Sequence, residues 1–264
     1  MHDIEDHDRG LAYDLPRLVS RRRALGLLAG GVGMAVAACG SSEGGGGGGA
    51  TSTTAPVGEA IAEETAGPFP GDGSNGPNAL SESGVVRTDI TSSFGDASGK
   101  ADGVPATIDL TLLDVSGGGK PLAGAAVYLW HCDIAGRYSM YDDEVASENY
   151  LRGVQESDAD GKLSFTSIFP AAYSGRWPHI HFEVYESADA ATSGSSKLRT
   201  SQIALPEEAC ELVYATEGYE QSTQSLAQTS LETDNVFSDG YAGQLASWSG
   251  SADKGIALKL NLGV

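Results

Sequence analysis

Basic residues are scarce in this chain. Its 16 lysines and arginines face 36 aspartates and glutamates, a formal net charge of −20. In residues 1–38, Asp3, Glu5, Asp6, Asp8 and Asp14 balance Arg9, Arg17, Arg21, Arg22 and Arg23, so the acidic excess lies in residues 39–264. A strongly acidic domain repels nucleic acid and anionic lipid surfaces. Aromatics make up 7% of the chain, a poor basis for a platform that stacks single-stranded bases. A phosphate loop and a dinucleotide fingerprint are both missing, which leaves no nucleotide-binding motif. Long apolar runs are missing too. The stretch from Ala24 to Ala38 is too short and too rich in Gly for a comfortable membrane span. No internal repeat is present, and helical patterning is confined to short pieces such as Pro206 to Ala215.

What the first part of the chain does carry is an address. Arg21-Arg22-Arg23 comes after a polar stretch, and the mildly apolar run beyond it ends Val36-Ala-Ala-Cys39. This reads as a twin-arginine export signal over residues 1–38, joined to a lipobox-like cleavage site. The expectation is cleavage before Cys39, a lipid on its thiol, and a protein held at the outer face of the cell membrane. An uncleaved anchor is the alternative. Residues 39–58 form the lipidated end and a tether that includes Gly44 through Gly49. Its flexible part, about 17 residues, spans roughly 20–25 Å. Residues 59–264 are the right length for one domain with a sizeable core. Once Cys39 is committed, Cys132 and Cys210 remain, an even number in an oxidising compartment. A disulfide between them is expected to stabilise by roughly 4 kcal/mol in the chain-entropy view. Two buried free thiols are the alternative.

The domain reads as β-rich. Thr107-Ile-Asp-Leu-Thr-Leu-Leu-Asp alternates polar and apolar residues, as a half-buried strand does. Ala125 to His131, Lys162 to Ile168, His179 to Tyr185, Thr200 to Leu205 and Ile256 to Leu262 read as further strands. Turns rich in Gly, Pro and Asp separate them. Mainly β, an antiparallel sandwich with short helices and long loops, is the predicted fold class. Asp158-Ala-Asp160-Gly161 lacks the later ligands of a calcium loop and reads as a plain turn.

The chemistry is concentrated in Tyr173-Ser-Gly-Arg176-Trp-Pro-His179-Ile-His181, with Gly136-Arg-Tyr138 upstream. Two histidines two apart on a strand share one face. Two phenols and two imidazoles can converge on one hard, oxidised metal ion, and a phenol that ionises near neutral pH needs a strong local positive charge. Soft thiolate suits such a site poorly. His131 is a further imidazole near Tyr138 that reads as structural or as a neighbour of the ligands. Trp130, Phe69 and Trp177 are candidate walls of an aromatic site, with core packing as the default.

In order and spacing, these residues resemble the iron motif of the intradiol ring-cleavage dioxygenases. The resemblance runs from about Glu64 to about Tyr219. It implies a transthyretin-like sandwich holding one non-haem Fe(III) through Tyr138, Tyr173, His179 and His181. Tyr173 and His181 would be the axial pair, and Tyr173 would be the ligand that leaves when substrate binds. It implies that Arg176 faces the substrate ring and that Gln202, on the next strand, lines the same pocket. The implied reaction is cleavage of a catechol by O2 to a cis,cis-muconate-type diacid, with both oxygen atoms incorporated. Both proton acceptors would sit on the metal. The implied partners are a small catechol and O2, with no nucleic acid and a membrane contact only through Cys39. The natural catechol and the oligomeric state stay open. The rival readings are a ferric-binding sandwich lipoprotein without catalysis, and a sandwich used only for binding.

Overall fold

The structure is a computed structural model that describes residues 59–264. The expected export signal, Cys39 and the tether lie outside the described residues. Nine strands run in chain order: β1 (Pro105–Asp114), β2 (Lys120–Pro121), β3 (Ala126–Trp130), β4 (Arg152–Glu156), β5 (Lys162–Ile168), β6 (His179–Tyr185), β7 (Arg199–Ala204), β8 (Ser247–Ser251) and β9 (Gly255–Gly263). Among the described residues, three short α-helices join them: α1 (Ala188–Thr192), α2 (Glu207–Tyr214) and α3 (Glu220–Leu226).

The strands form two layers. One is a sheet in the order β2-β1-β9-β8, with β5 also paired to β1. The other runs β4-β3-β6-β7. All pairs are antiparallel except β1 with β9, which is parallel. The alternation read from the sequence builds the core between the layers. Ile108, Leu110 and Leu112 of β1 and Leu258, Leu260 and Leu262 of β9 point inward from the first sheet. Val127 and Leu129 of β3 and Ile180, Phe182 and Val184 of β6 meet them from the second. Each large aliphatic side chain removed from water here contributes about 1.5–3 kcal/mol. Ile180 thus packs into the core, as its place between the histidines requires.

β6 is buried along its whole length, on both faces. The outer face of its sheet is covered by loops and α1 rather than water. Ala126, Tyr128 and Trp130 of β3 form a second cluster there with Tyr138 and Tyr185, and Phe69 and Tyr173 pack against it. That covered outer face is where His179 and His181 point.

One expectation is corrected and one is borne out. Cys132 and Cys210 form no disulfide; both are free and buried. Cys132 lies in the outer cluster with its thiol toward the Ala171 carbonyl at 3.5 Å, whereas Cys210 sits on α2 in the inner core. Burial pushes both thiols up from their ordinary pKa. The Asp158 segment is a turn, as read: Gly161 N–H donates to the Asp158 carbonyl, and Asp158 Oδ1 accepts from the N–H groups of Asp160 and Lys162.

Candidate metal centre

Each predicted ligand has a local reason for its position. Tyr138 comes after a turn built on Asp133. Asp133 Oδ1 accepts from the N–H groups of Ala135 (2.9 Å) and Arg137 (3.0 Å), and Oδ2 accepts from Arg137 Nε (2.9 Å). Gly136 takes φ 81°, which L side chains rarely adopt, and an added Cβ there would meet Tyr173 Cβ at 3.4 Å. Asp142 then accepts the Tyr138 N–H at 2.6 Å. Tyr173 lies in the loop between β5 and β6. His179 and His181 stand on β6, facing outward together.

The structure brings the four side chains to one point. Tyr138 Oη lies 3.2 Å from Tyr173 Oη, Tyr173 Oη lies 3.1 Å from His179 Nε2, and His179 Nε2 lies 3.0 Å from His181 Nε2. Ligand atoms about 2.0–2.1 Å from one ion and 90–120° apart would be separated by about 2.9–3.6 Å, so the spacing fits a shared metal ion. The donor set, two phenol oxygens and two imidazole nitrogens, fits a hard trivalent ion better than a soft one. His179 Nδ1 lies 2.6 Å from the Trp177 carbonyl, which only accepts, so its proton sits on Nδ1 and its Nε2 lone pair faces the centre. Trp130, directly across from His181 in the β3–β6 pair, stacks on its ring.

Burial sets the protonation of the unloaded centre. It holds both imidazoles well below their usual pKa, with Arg176 adding to the effect at His179 and His179 adding to it at His181. It pushes Tyr138 well above the usual phenol value and Tyr173 up to about 12. Neutral imidazoles are ready ligands. The phenols need a cation beside them before they ionise. Tyr138 is fully enclosed, while Tyr173 is half-buried.

Arg176 and Gln202 arrive at the same place. Gln202 pairs with His181 across β6–β7. Arg176 Nη2 donates to Gln202 Oε1 at 2.7 Å, Gln202 Nε2 donates to the Thr65 carbonyl at 2.9 Å, and Arg176 Nη1 lies 3.4 Å from His179 Nε2. His131 belongs elsewhere. It is buried between the Cys132 carbonyl and Ser167 Oγ, which makes it a structural residue. Phe69 packs near Tyr138, ring centroids 5.0 Å apart, so it does wall the centre. Trp177 instead packs with Val236 and Phe237.

Three neighbours were not found in the sequence. Asp234 accepts from Arg176 Nε at 2.9 Å across 58 residues of chain. Arg152 is 1% exposed, and its guanidinium donates only to neutral acceptors: Ser139 Oγ, Ser139 O, Pro70 O, Phe69 O and Tyr128 Oη. Gly67, at φ 72°, brings backbone so near that an added Cβ would meet His181 Cε1 at 3.2 Å. An arginine beside Gly153 in a strand was the one available signal for Arg152; the other two depend on long-range folding.

Known proteins resemble this chain in sequence and in fold. The family model described as "Dioxygenase" matches residues 76–193, which include all four donors. Catechol 1,2-dioxygenase 2 of Acinetobacter lwoffii is 45% identical over 56 residues, 21% of this chain and 20% of that protein. Chlorocatechol 1,2-dioxygenase of Pseudomonas sp. (strain P51) is 32% identical over 84 residues, 25% of this chain and 33% of that protein. Over these stretches the chain is similar to the intradiol ring-cleavage dioxygenases. The match spans about a fifth of the length of the Acinetobacter relative. In fold, the chain is similar to an intradiol ring-cleavage dioxygenase from Tetranychus urticae, with TM-score 0.55 and 24% identity over 69% of this chain and 87% of that one. The sandwich thus shares its fold with that enzyme, and the four donors lie on its covered outer face.

Proposed function

We propose that this protein cleaves a catechol-type diol between its hydroxyl-bearing carbons with O2, outside the cytoplasm, giving a cis,cis-muconate-type diacid. Tyr138, Tyr173, His179 and His181 would hold one ferric ion. When bound, that ion supplies a Lewis acid and a template for the diol oxygens. The convergence of four hard and borderline donors at 3.0–3.2 Å beside a guanidinium carries the reading.

The chain's own groups have separable tasks. Tyr138, buried and held by the Asp133 turn, keeps its place. Tyr173, half-buried, is the residue that would be held as a phenolate beside the bound ion and would swing out to take one diol proton on Oη. The Trp177 carbonyl fixes the His179 tautomer. Arg176 directs Nη1 at the centre and stabilises the negative charge that the ring carries once the diol has lost its protons, before electrons pass to oxygen. Gln202 holds Arg176 from the other side. The enclosing loops at Phe69 and Tyr138 keep water from the reacting ring. Arg21 to Arg23 and Cys39 support export and a lipid tether.

Oxygen uptake by the ferric-loaded protein with catechol, recorded together with the ultraviolet spectrum of the product, tests the reading. Stoichiometric uptake with a muconate-like spectrum is expected. No uptake with catechol, protocatechuate or hydroxyquinol, from protein that holds ferric ion, would leave the iron-binding lipoprotein instead.

A further inference from the structure

Asp234 is 1% exposed, and its carboxylate is held on both oxygens. Oδ2 accepts from Arg176 Nε at 2.9 Å and from the Trp177 N–H at 2.7 Å. Oδ1 accepts from the N–H groups of Val236 (2.8 Å) and Phe237 (3.2 Å), with Arg176 Nη2 at 3.4 Å. The backbone of two segments therefore fixes the carboxylate, and the carboxylate fixes the guanidinium. Trp177, Val236 and Phe237 pack in one cluster, which anchors the segment that delivers Asp234 to the centre.

This arrangement does two things to Arg176. Nε and Nη2 are taken up by Asp234 and Gln202 Oε1, so the rotation of the planar fork is set and Nη1 is the edge turned toward His179 Nε2. The full positive charge of Arg176 is also matched by one full negative charge in a site where little water intervenes. Two opposite charges in contact present little net field a few ångströms away, so a carboxylate on an incoming ring would meet Asp234 as well as Arg176. Other cations are paired with carboxylates, Arg137 with Asp133 and Glu144, Lys197 with Asp72 and Glu183, and Arg199 with Glu63, while Arg152 is buried among neutral acceptors on the side of Phe69 and Tyr128. The surrounding domain is strongly acidic.

We propose that Asp234 is a positioning and specificity-determining residue, which aims Arg176 at the centre and cancels its charge, so that the site takes uncharged catechols in preference to carboxylated ones. The inference rests on the proposed dioxygenase reading. Arg176 keeps its donor for charge that develops on the ring during reaction, without attracting substrates that are already anionic.

The test compares catechol with protocatechuate on the full chain, as kcat/KM and as anaerobic calorimetric affinity. The variants are Asp234→Asn, which exposes the charge of Arg176, and Gln202→Glu, which adds a second carboxylate to it. Melting temperature and iron content are measured on each. The wild type is expected to favour catechol. Asp234→Asn should lower kcat on catechol and shift the protocatechuate-to-catechol ratio about tenfold or more toward protocatechuate. Gln202→Glu should shift the ratio the opposite way. A purely structural role would lower both substrates by the same factor and leave the ratio unmoved in both variants, which would overturn the proposal. A wild type that favours protocatechuate would overturn it too. Should Asp234→Asn fail to fold, the direction of the Gln202→Glu shift decides. Failure of the wild type to turn over either diol would instead defeat the dioxygenase reading.

Discussion

Trp130 lies flat against His181, with ring centroids 5.0 Å apart and planes within 4°. Hydrogen bonding does less for this histidine than for its neighbour. Its Nδ1 has no hydrogen-bond partner among the described residues, unlike His179, whose Nδ1 is tied to the Trp177 carbonyl. The orientation of one imidazole is thus set by a hydrogen bond and that of the other by stacking. Replacing Trp130 with Leu is expected to weaken ferric affinity by about 10–100-fold, the usual effect of losing a group that orients a ligand. Trp130→Phe, which keeps a flat face, should lose much less. Competition with a chelator measures both.

Gly67 also approaches the ring of this histidine. Gly67→Ala places a side chain on a backbone at φ 72° and a Cβ at 3.2 Å from His181 Cε1. The left-handed conformation alone costs about 1–2 kcal/mol. Denaturant unfolding should show that loss, and the chelator assay should show weaker iron binding because His181 must give way.

Arg152 ties the loop that carries Phe69 to the loop that carries Tyr138. Arg152→Met removes a donor from four oxygens of Phe69, Pro70 and Ser139, of which the Pro70 carbonyl keeps the Tyr128 hydroxyl. Leaving buried acceptors unpaired costs about 1–3 kcal/mol each, partly recovered by relaxation, so a total loss of about 3 kcal/mol or more is expected. Urea unfolding measures it. Among the described residues, the two non-glycine residues at positive φ, Met140 (73°) and Leu151 (57°), flank the Ser139–Arg152 contact, so strain is concentrated where this clamp holds.

The free thiols give a prediction that contrasts with the sequence reading. Treatment with a reductant should leave the melting temperature unchanged. Peptide mass analysis after denaturation without reductant should find both Cys132 and Cys210 carrying an added thiol reagent. A bonded Cys132–Cys210 peptide would contradict the packing of these two residues in separate clusters.

The sequence displayed the strands that carry a buried face. β5 and β6 match the expected ranges, and β1, β3, β7 and β9 differ by a residue or two at their ends. Ionic and polar strands escaped. Arg152-Gly153-Val154 has no apolar alternation because its arginine is buried by hydrogen bonds, and Ser247 to Ser251 is an exposed strand of serine and glycine around Trp248. The parallel β1–β9 pairing joins strands far apart in the chain, which local periodicity does not encode. At the centre, the donors were legible because they cluster within 44 residues of chain, from Tyr138 to His181. Asp234 was not, since its partner lies far upstream and its own neighbours, Thr233 and Asn235, carry no pattern.

Mass spectrometry of the product formed from catechol under heavy-oxygen gas tests the central claim most directly. A ring-opened diacid carrying a heavy oxygen atom in each carboxyl group is the predicted result. A quinone without label, or catechol returned intact from ferric-loaded protein, would contradict it.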